Sequence, residues 1–142
     1  DQQELKGLNL FKNNCASCHA TDLFTDNSFR NNGLPPNSKL NDLGREEVTG
    51  FRTDRYKFKV PSLRNVELTA PYMHDGRFGS LQSVLNFYSN GVQQTENLDP
   101  LLQNNSHIGI PLTQEEKEAL IAFLKTLTDY DFVKNPLFYH KT

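Results

Sequence analysis

Several absences narrow the class of this chain before any motif is considered. No apolar run approaches the roughly 20 residues needed to cross a bilayer, which excludes a transmembrane helix. The start, DQQELKGLNLF, has neither the basic segment nor the apolar stretch of a secretory signal. It opens directly on a helix-like segment, so the expectation is that something upstream was cut away. An excess of one charge is also lacking: Lys and Arg are scattered and the formal net charge is -2, which removes the electrostatic case for nucleic acid. At 36% the hydrophobic fraction is low, so side chains alone build only a modest core, and a buried cofactor would make up the deficit. There is no internal repeat, low-complexity tract or linker, and 142 residues suit one domain, 1–142.

Three helices can be read from what is present. Leu5, Leu8 and Phe11 recur at three-residue steps and predict a helix from about Gln3 into Asn14. Gly7 on its flank lowers helix propensity by roughly 1 kcal/mol against alanine, which is best explained by a second helix crossing closely there. The partner expected is LTQEEKEALIAFLKTLT, where Thr113 and Glu116 form a capping box and Leu120, Phe123, Leu124 and Leu127 make the buried stripe. A third helix is predicted over SLQSVLNFYSNG, with Leu81, Val84, Leu85 and Tyr88 on one face and Gly91 as its stop. Between the first and third lies a long stretch rich in Asn, Pro, Gly and Asp. Structureless connections beyond about 12–15 residues are uncommon unless they bind something, so this region should wrap a ligand.

The two cysteines sit three positions apart and a histidine follows at once: Cys15-Ala16-Ser17-Cys18-His19. This is the C-x-x-C-H pattern of c-type haem attachment. The thiols add across the haem vinyl groups, and the adjacent imidazole reaches the iron from the proximal side. A thioredoxin-like dithiol would need a βαβ setting that the sequence does not show. A zinc site would have to recruit His74, His107 or His140 as a fourth ligand, with His19 awkwardly close to Cys18. The sixth iron position separates an electron carrier from a catalyst. Met73, the only methionine, lies at a distance familiar in small cytochromes c, and a thioether ligand would raise the reduction potential.

The stretch FKVPSLRNVELTAPYMHDGRFGSLQSVLNFYSNG, residues 58–91, resembles the signature of the C-terminal haem domain of bacterial di-haem cytochrome c peroxidases and MauG-type enzymes. With the haem motif before it and the last helix after it, the resemblance covers nearly the whole chain. It implies an all-α, cytochrome c-like fold, its helices wrapped around one covalent haem with long irregular loops. It also implies that the distal ligand lies on the helix after the His-Asp-Gly turn, which here gives Tyr88, with Met73 as the alternative. A phenolate is a hard anionic donor and would favour ferric and higher states. By the same match the Pro61 carbonyl would lie near His19 and fix its tautomer, and Arg64 would pair with a haem propionate. The backbone carbonyls of Thr69 and Pro71 would hold calcium together with a side chain of another domain. His74 and Asp75 fall near the haem edge, as a structural turn or a catalytic pair; His107 and His140 have no company and are expected at the surface.

Complete members of that family have an N-terminal domain with its own C-x-x-C-H, and this chain has one such motif. The resemblance therefore implies half of an enzyme: a periplasmic electron-transfer domain, relaying electrons from a small redox protein toward a peroxide-reacting haem in the N-terminal domain. The alternatives are a self-sufficient haem peroxidase and a stand-alone mono-haem electron carrier.

Overall fold

A computed structural model describes residues 1–104 and 107–138. Its helices there are α1 (Gln2–Asn14), α2 (Glu46–Thr49), α3 (Leu81–Asn90), α4 (Gln114–Lys125) and α5 (Tyr130–Val133). The strands are two-residue pieces in two antiparallel pairs: β1 (Phe29–Arg30) with β2 (Phe58–Lys59), and β3 (Gln103–Asn104) with β4 (His107–Ile108). Phe29 stands opposite Lys59, and Gln103 opposite Ile108.

Local chemistry explains where the long helices begin. Asp1 caps α1 by accepting the Glu4 N–H at 2.9 Å, while the Glu4 carboxylate reaches back to the N-terminal amine. Thr113 and Glu116 make the same reciprocal box at α4, as their spacing predicts. Ser80 caps α3 by accepting the Ser83 N–H at 3.1 Å. Gly91 does end α3, but at φ -110, not in a left-handed conformation. What stops the helix is competition for a carbonyl: the Tyr88 oxygen takes the N–H of Ile110 at 2.7 Å from the returning chain.

α1 and α4 cross at Gly7. A methyl group there would sit 2.0 Å from the carbonyl oxygen of Ala119, so only a glycine lets the two backbones approach this far. The crossing also rotates α1 away from the face expected over Leu5, Leu8 and Phe11. Gly7 and Phe11, one turn apart, are the buried pair, and Leu5 is 55% exposed. Phe11 meets Phe123 of α4 at 5.1 Å between ring centroids and Phe24 edge-on at 5.6 Å. Leu120, only 1% exposed, Leu124, Leu81, Leu85 and Val66 complete this core, and Leu127 packs at its margin. Lys117 is buried on α4, its ammonium donating to the Asn86 carboxamide oxygen at 3.0 Å, which ties α4 to α3.

The central region is held mainly by polar side chains. Asn31, 2% exposed, donates to Thr95 Oγ1 at 3.0 Å and Asn97 Oδ1 at 2.7 Å, and accepts the Gly33 N–H at 2.9 Å. Asn97 donates in turn to the carbonyls of Thr53 and Arg55. Arg30 bridges Asp26 at 2.7 Å and Asp99 at 2.9 Å. Hydrogen bonds from Ser28 and then Arg30 hold the Asp26 carboxyl well below the ordinary carboxylate range.

Two outcomes follow. Gly7→Ala should destabilise the protein by about 1–3 kcal/mol in denaturant unfolding followed by circular dichroism, whereas an unmoved midpoint would mean the helices do not meet there. The depressed Asp26 pKa stabilises the fold fully above the ordinary carboxylate pKa near 4 and drains away as pH falls below it. Asp26→Asn should therefore be less stable than wild type at pH 7, with the gap narrowing in acid; a pH-independent gap would discard the assignment.

Candidate haem site

The end of α1 shapes the cysteine motif. The N–H groups of Cys15 and Ala16 both donate to the Phe11 carbonyl, at 2.8 and 3.0 Å, and those of Cys18 and His19 donate to the Cys15 carbonyl, at 3.1 and 2.9 Å. This tight turn sets both thiols and the imidazole on one short loop. Burial, reinforced by Cys18, pushes the Cys15 thiol up to about 12, and burial also raises Cys18. Both are neutral thiols at physiological pH. A dithiol redox couple depends on a lowered thiol pKa, the opposite of what stands here.

His19 Nδ1 lies 3.0 Å from the Phe24 carbonyl oxygen. Burial lowers the histidine pKa, while hydrogen bonding to the carbonyls of Phe24 and Pro61 works against that shift. With Nδ1–H donating to backbone, Nε2 is the nitrogen offered to a metal. Phe24 was not anticipated. It adopts φ 54, and this left-handed backbone aims its carbonyl at His19 while its ring joins Phe11 and Phe123 in the core. The 3.0 Å contact of the His19 ring is to Phe24 and not to Pro61, the acceptor expected from the resemblance. Arg64 is exposed; its Nη1 donates to the Asp22 carbonyl at 3.0 Å beside a cleft of about 400 Å³ lined by Phe24, Arg64 and residues 126–131. Ser62 Oγ donates to the Leu23 carbonyl at 2.6 Å. Together these bonds staple the 62–64 segment to the loop after the motif.

The two distal candidates converge. Asn32 Nδ2 lies 3.3 Å from Tyr88 Oη and 3.8 Å from Met73 Sδ. Burial raises the Tyr88 pKa, and the Asn32 hydrogen bond opposes it. Met73 sits at φ 72 in the turn closed by the Tyr72–Phe78 bridge. Asn32, like Phe24, escaped the sequence reading: Asn-Asn-Gly signals a turn, and nothing local says that the turn lies against a helix more than fifty residues on.

His74 and Asp75 go separate ways. The His74 ring stacks on Phe58 at 3.6 Å between centroids, whereas the Asp75 carboxylate, 1% exposed, is committed to Arg77. Thr69 and Pro71 are exposed, and the Thr69 hydroxyl donates to the Val66 carbonyl at 3.2 Å. His107 is exposed on β4, and His140 lies outside the described residues. Among the described residues no three His, Cys, Asp or Glu side chains form a group suited to a metal, so they offer no zinc-type donor set.

The donor set does fit haem c: two neutral thiols at the attachment spacing, an imidazole with its far nitrogen fixed by backbone, and a phenol and a thioether meeting at one amide. Fold and site together define a cytochrome c-type domain. The Cytochrome c family model matches residues 5–128, and the chain belongs to that family. Within it the relatives are MauG proteins and cytochrome c peroxidases. The methylamine utilization protein MauG of Methylorubrum extorquens is 40% identical over 86% of this chain and 33% of its own length. Cytochrome c551 peroxidase of Nitrosomonas europaea is 37% identical over 90% of this chain and 35% of its own. A MauG-like protein associated with microbial copper homeostasis superposes with a TM-score of 0.79 at 32% identity, covering 97% of this chain and 50% of that one. The chain spans about a third of the length of these curated relatives. No helix among the described residues is long and apolar enough to cross a membrane.

Tyr88 is fixed from behind by Gly109, at φ 92, where a methyl group would lie 2.4 Å from the Tyr88 carbonyl oxygen. Gly109→Ala should lower stability by about 2 kcal/mol in thermal unfolding; wild-type stability would mean the 109–110 strap does not hold the end of α3.

Proposed function

We propose that this chain is the haem electron-transfer domain of a di-haem peroxidase-like protein. It takes electrons from a small redox protein and passes them toward a peroxide-reacting haem in an N-terminal domain that lies outside this chain. The reading is carried by the motif loop, in which Cys15, Cys18 and His19 share one turn and the Phe24 carbonyl orients the imidazole. It is supported by the relatives, whose own lengths leave room for a second domain.

Bound here, haem supplies a one-electron iron couple. Cys15 and Cys18 would anchor it as thioethers, and His19 Nε2 would ligate the iron, its basicity raised by Nδ1–H donation to backbone carbonyl. Tyr88 would supply the second iron ligand, a hard oxygen donor that would hold the potential below that of a thioether-ligated cytochrome, with Met73 the alternative. Pro61 and Arg64 would border the haem, where Arg64 could pair with a propionate. A calcium ion at the carbonyls of Thr69 and Pro71 would need a side chain from the other domain. A periplasmic location in a bacterium is supported by the likeness to MauG proteins and cytochrome c peroxidases.

Optical spectroscopy of the ferric, haem-loaded chain tests the ligand assignment. Wild type should lack the weak far-red band of methionine-to-iron charge transfer, Tyr88→Phe should alter the spectrum, and Met73→Leu should leave it unchanged. Hydrogen peroxide turnover by the same isolated chain should be negligible. A far-red band in wild type would reassign the ligand to Met73, and sustained turnover would make this domain the peroxidase itself.

A further inference from the structure

We propose that Asn32 is a positioning residue that selects Tyr88 over Met73 as the distal ligand, by donating a hydrogen bond to the phenol oxygen. The inference rests on the haem reading above and deepens it at one atom. Asn32 Nδ2 stands 3.3 Å from Tyr88 Oη and 3.8 Å from Met73 Sδ, so a single amide touches both competitors.

The amide has a defined orientation. Asn32 Oδ1 accepts the Leu34 N–H at 3.2 Å, so the oxygen faces the backbone and the NH₂ group faces Tyr88. The backbone carrying it is tied down on both sides. Asn31 is locked into the 95–97 loop, and the Gly33 carbonyl accepts the Gln93 N–H at 3.0 Å, just beyond the end of α3. Gly33, at φ 71, leaves no room for a side chain: a methyl group would lie 2.7 Å from the Gln93 carbonyl oxygen. The turn that presents Asn32 is thus built against the segment that follows Tyr88.

An N–H donor does not treat the two candidates alike. As a ligand to haem iron Tyr88 would act as a phenolate, its proton given up to solvent. The oxygen keeps negative charge, and hydrogen bonds to a charged acceptor are roughly twice as strong as neutral ones. A thioether sulfur is a weak acceptor and stays neutral on ligation. Asn32 would therefore stabilise the phenolate selectively, from a position it already holds 3.3 Å from the phenol oxygen.

The experiment uses the haem-loaded chain with Asn32→Ser and Asn32→Asp. Serine retains an acceptor for the Leu34 N–H but falls short of Tyr88; aspartate retains the acceptor and sets an oxygen where the donor was. Folding is checked by circular dichroism and covalent haem content. The ferric optical spectrum and the reduction potential are the readouts. Both variants should shift the ligand equilibrium at least about tenfold toward Met73, the size expected for one charge-assisted hydrogen bond. That shift brings up the far-red methionine band and raises the potential. In a Tyr88→Phe background Asn32→Ser should add nothing further. Folded Asn32 variants that keep the wild-type spectrum and potential would overturn the proposal while leaving Tyr88 as ligand. If Tyr88→Phe alone changes nothing, the ligand assignment itself fails, and the role of Asn32 falls with it.

Discussion

The approach of α1 to α4 at Gly7 is the constraint on which the rest of this structure depends. Because a methyl group would collide with the Ala119 carbonyl, the helices can come together only through glycine, and that closeness brings Phe11 onto Phe123. Phe24 then has one place to put its ring, against those two. The same residue, in a left-handed backbone conformation, turns its carbonyl to His19. A backbone contact between two helices is in this way transmitted through three aromatic rings to the orientation of an imidazole. The Cys-x-x-Cys-His turn hangs directly from the C-terminal end of α1, so the helix crossing also fixes where the two thiols stand.

The region that carries Asn32 toward Tyr88 and Met73 has a different physical basis. Residues 26–34, 53–58 and 93–99 contain few apolar groups able to pack, and they are joined by Asn31, Asn97 and the Asp26–Arg30–Asp99 network. Buried amides satisfied on every side are as restrictive as close packing, since each lost partner strands a polar group in low dielectric. Such a network suits a region that must hold its shape beside a large cofactor. It is also what delivers Asn32 to Tyr88 and Met73, so that side chains distant in sequence share one hydrogen-bond donor.

Much of this was legible from residue types and spacing. The capping box at Thr113, the close crossing at Gly7 and the Cys-x-x-Cys-His spacing all rest on contacts within a few residues, or on a single glycine whose cost demands an explanation. The rotation of α1 was less legible: Leu5, Leu8 and Phe11 suggested one face, but the glycine that permits the crossing also decides which side of the helix is buried. Phe24 and Asn32 were out of reach, because a backbone carbonyl or a turn amide carries no signal of what it will face.

By itself the sequence determined the three long helices, the spacing of Cys15, Cys18 and His19, and the family, since each is encoded in neighbouring residues or in a contiguous signature. Only the tertiary structure decided which imidazole nitrogen is held by backbone, and that Tyr88 and Met73 meet at the amide of Asn32. The physical reason is range: periodicity and capping act over one or two helical turns, whereas hydrogen-bond partners of loop residues are chosen by where the chain returns.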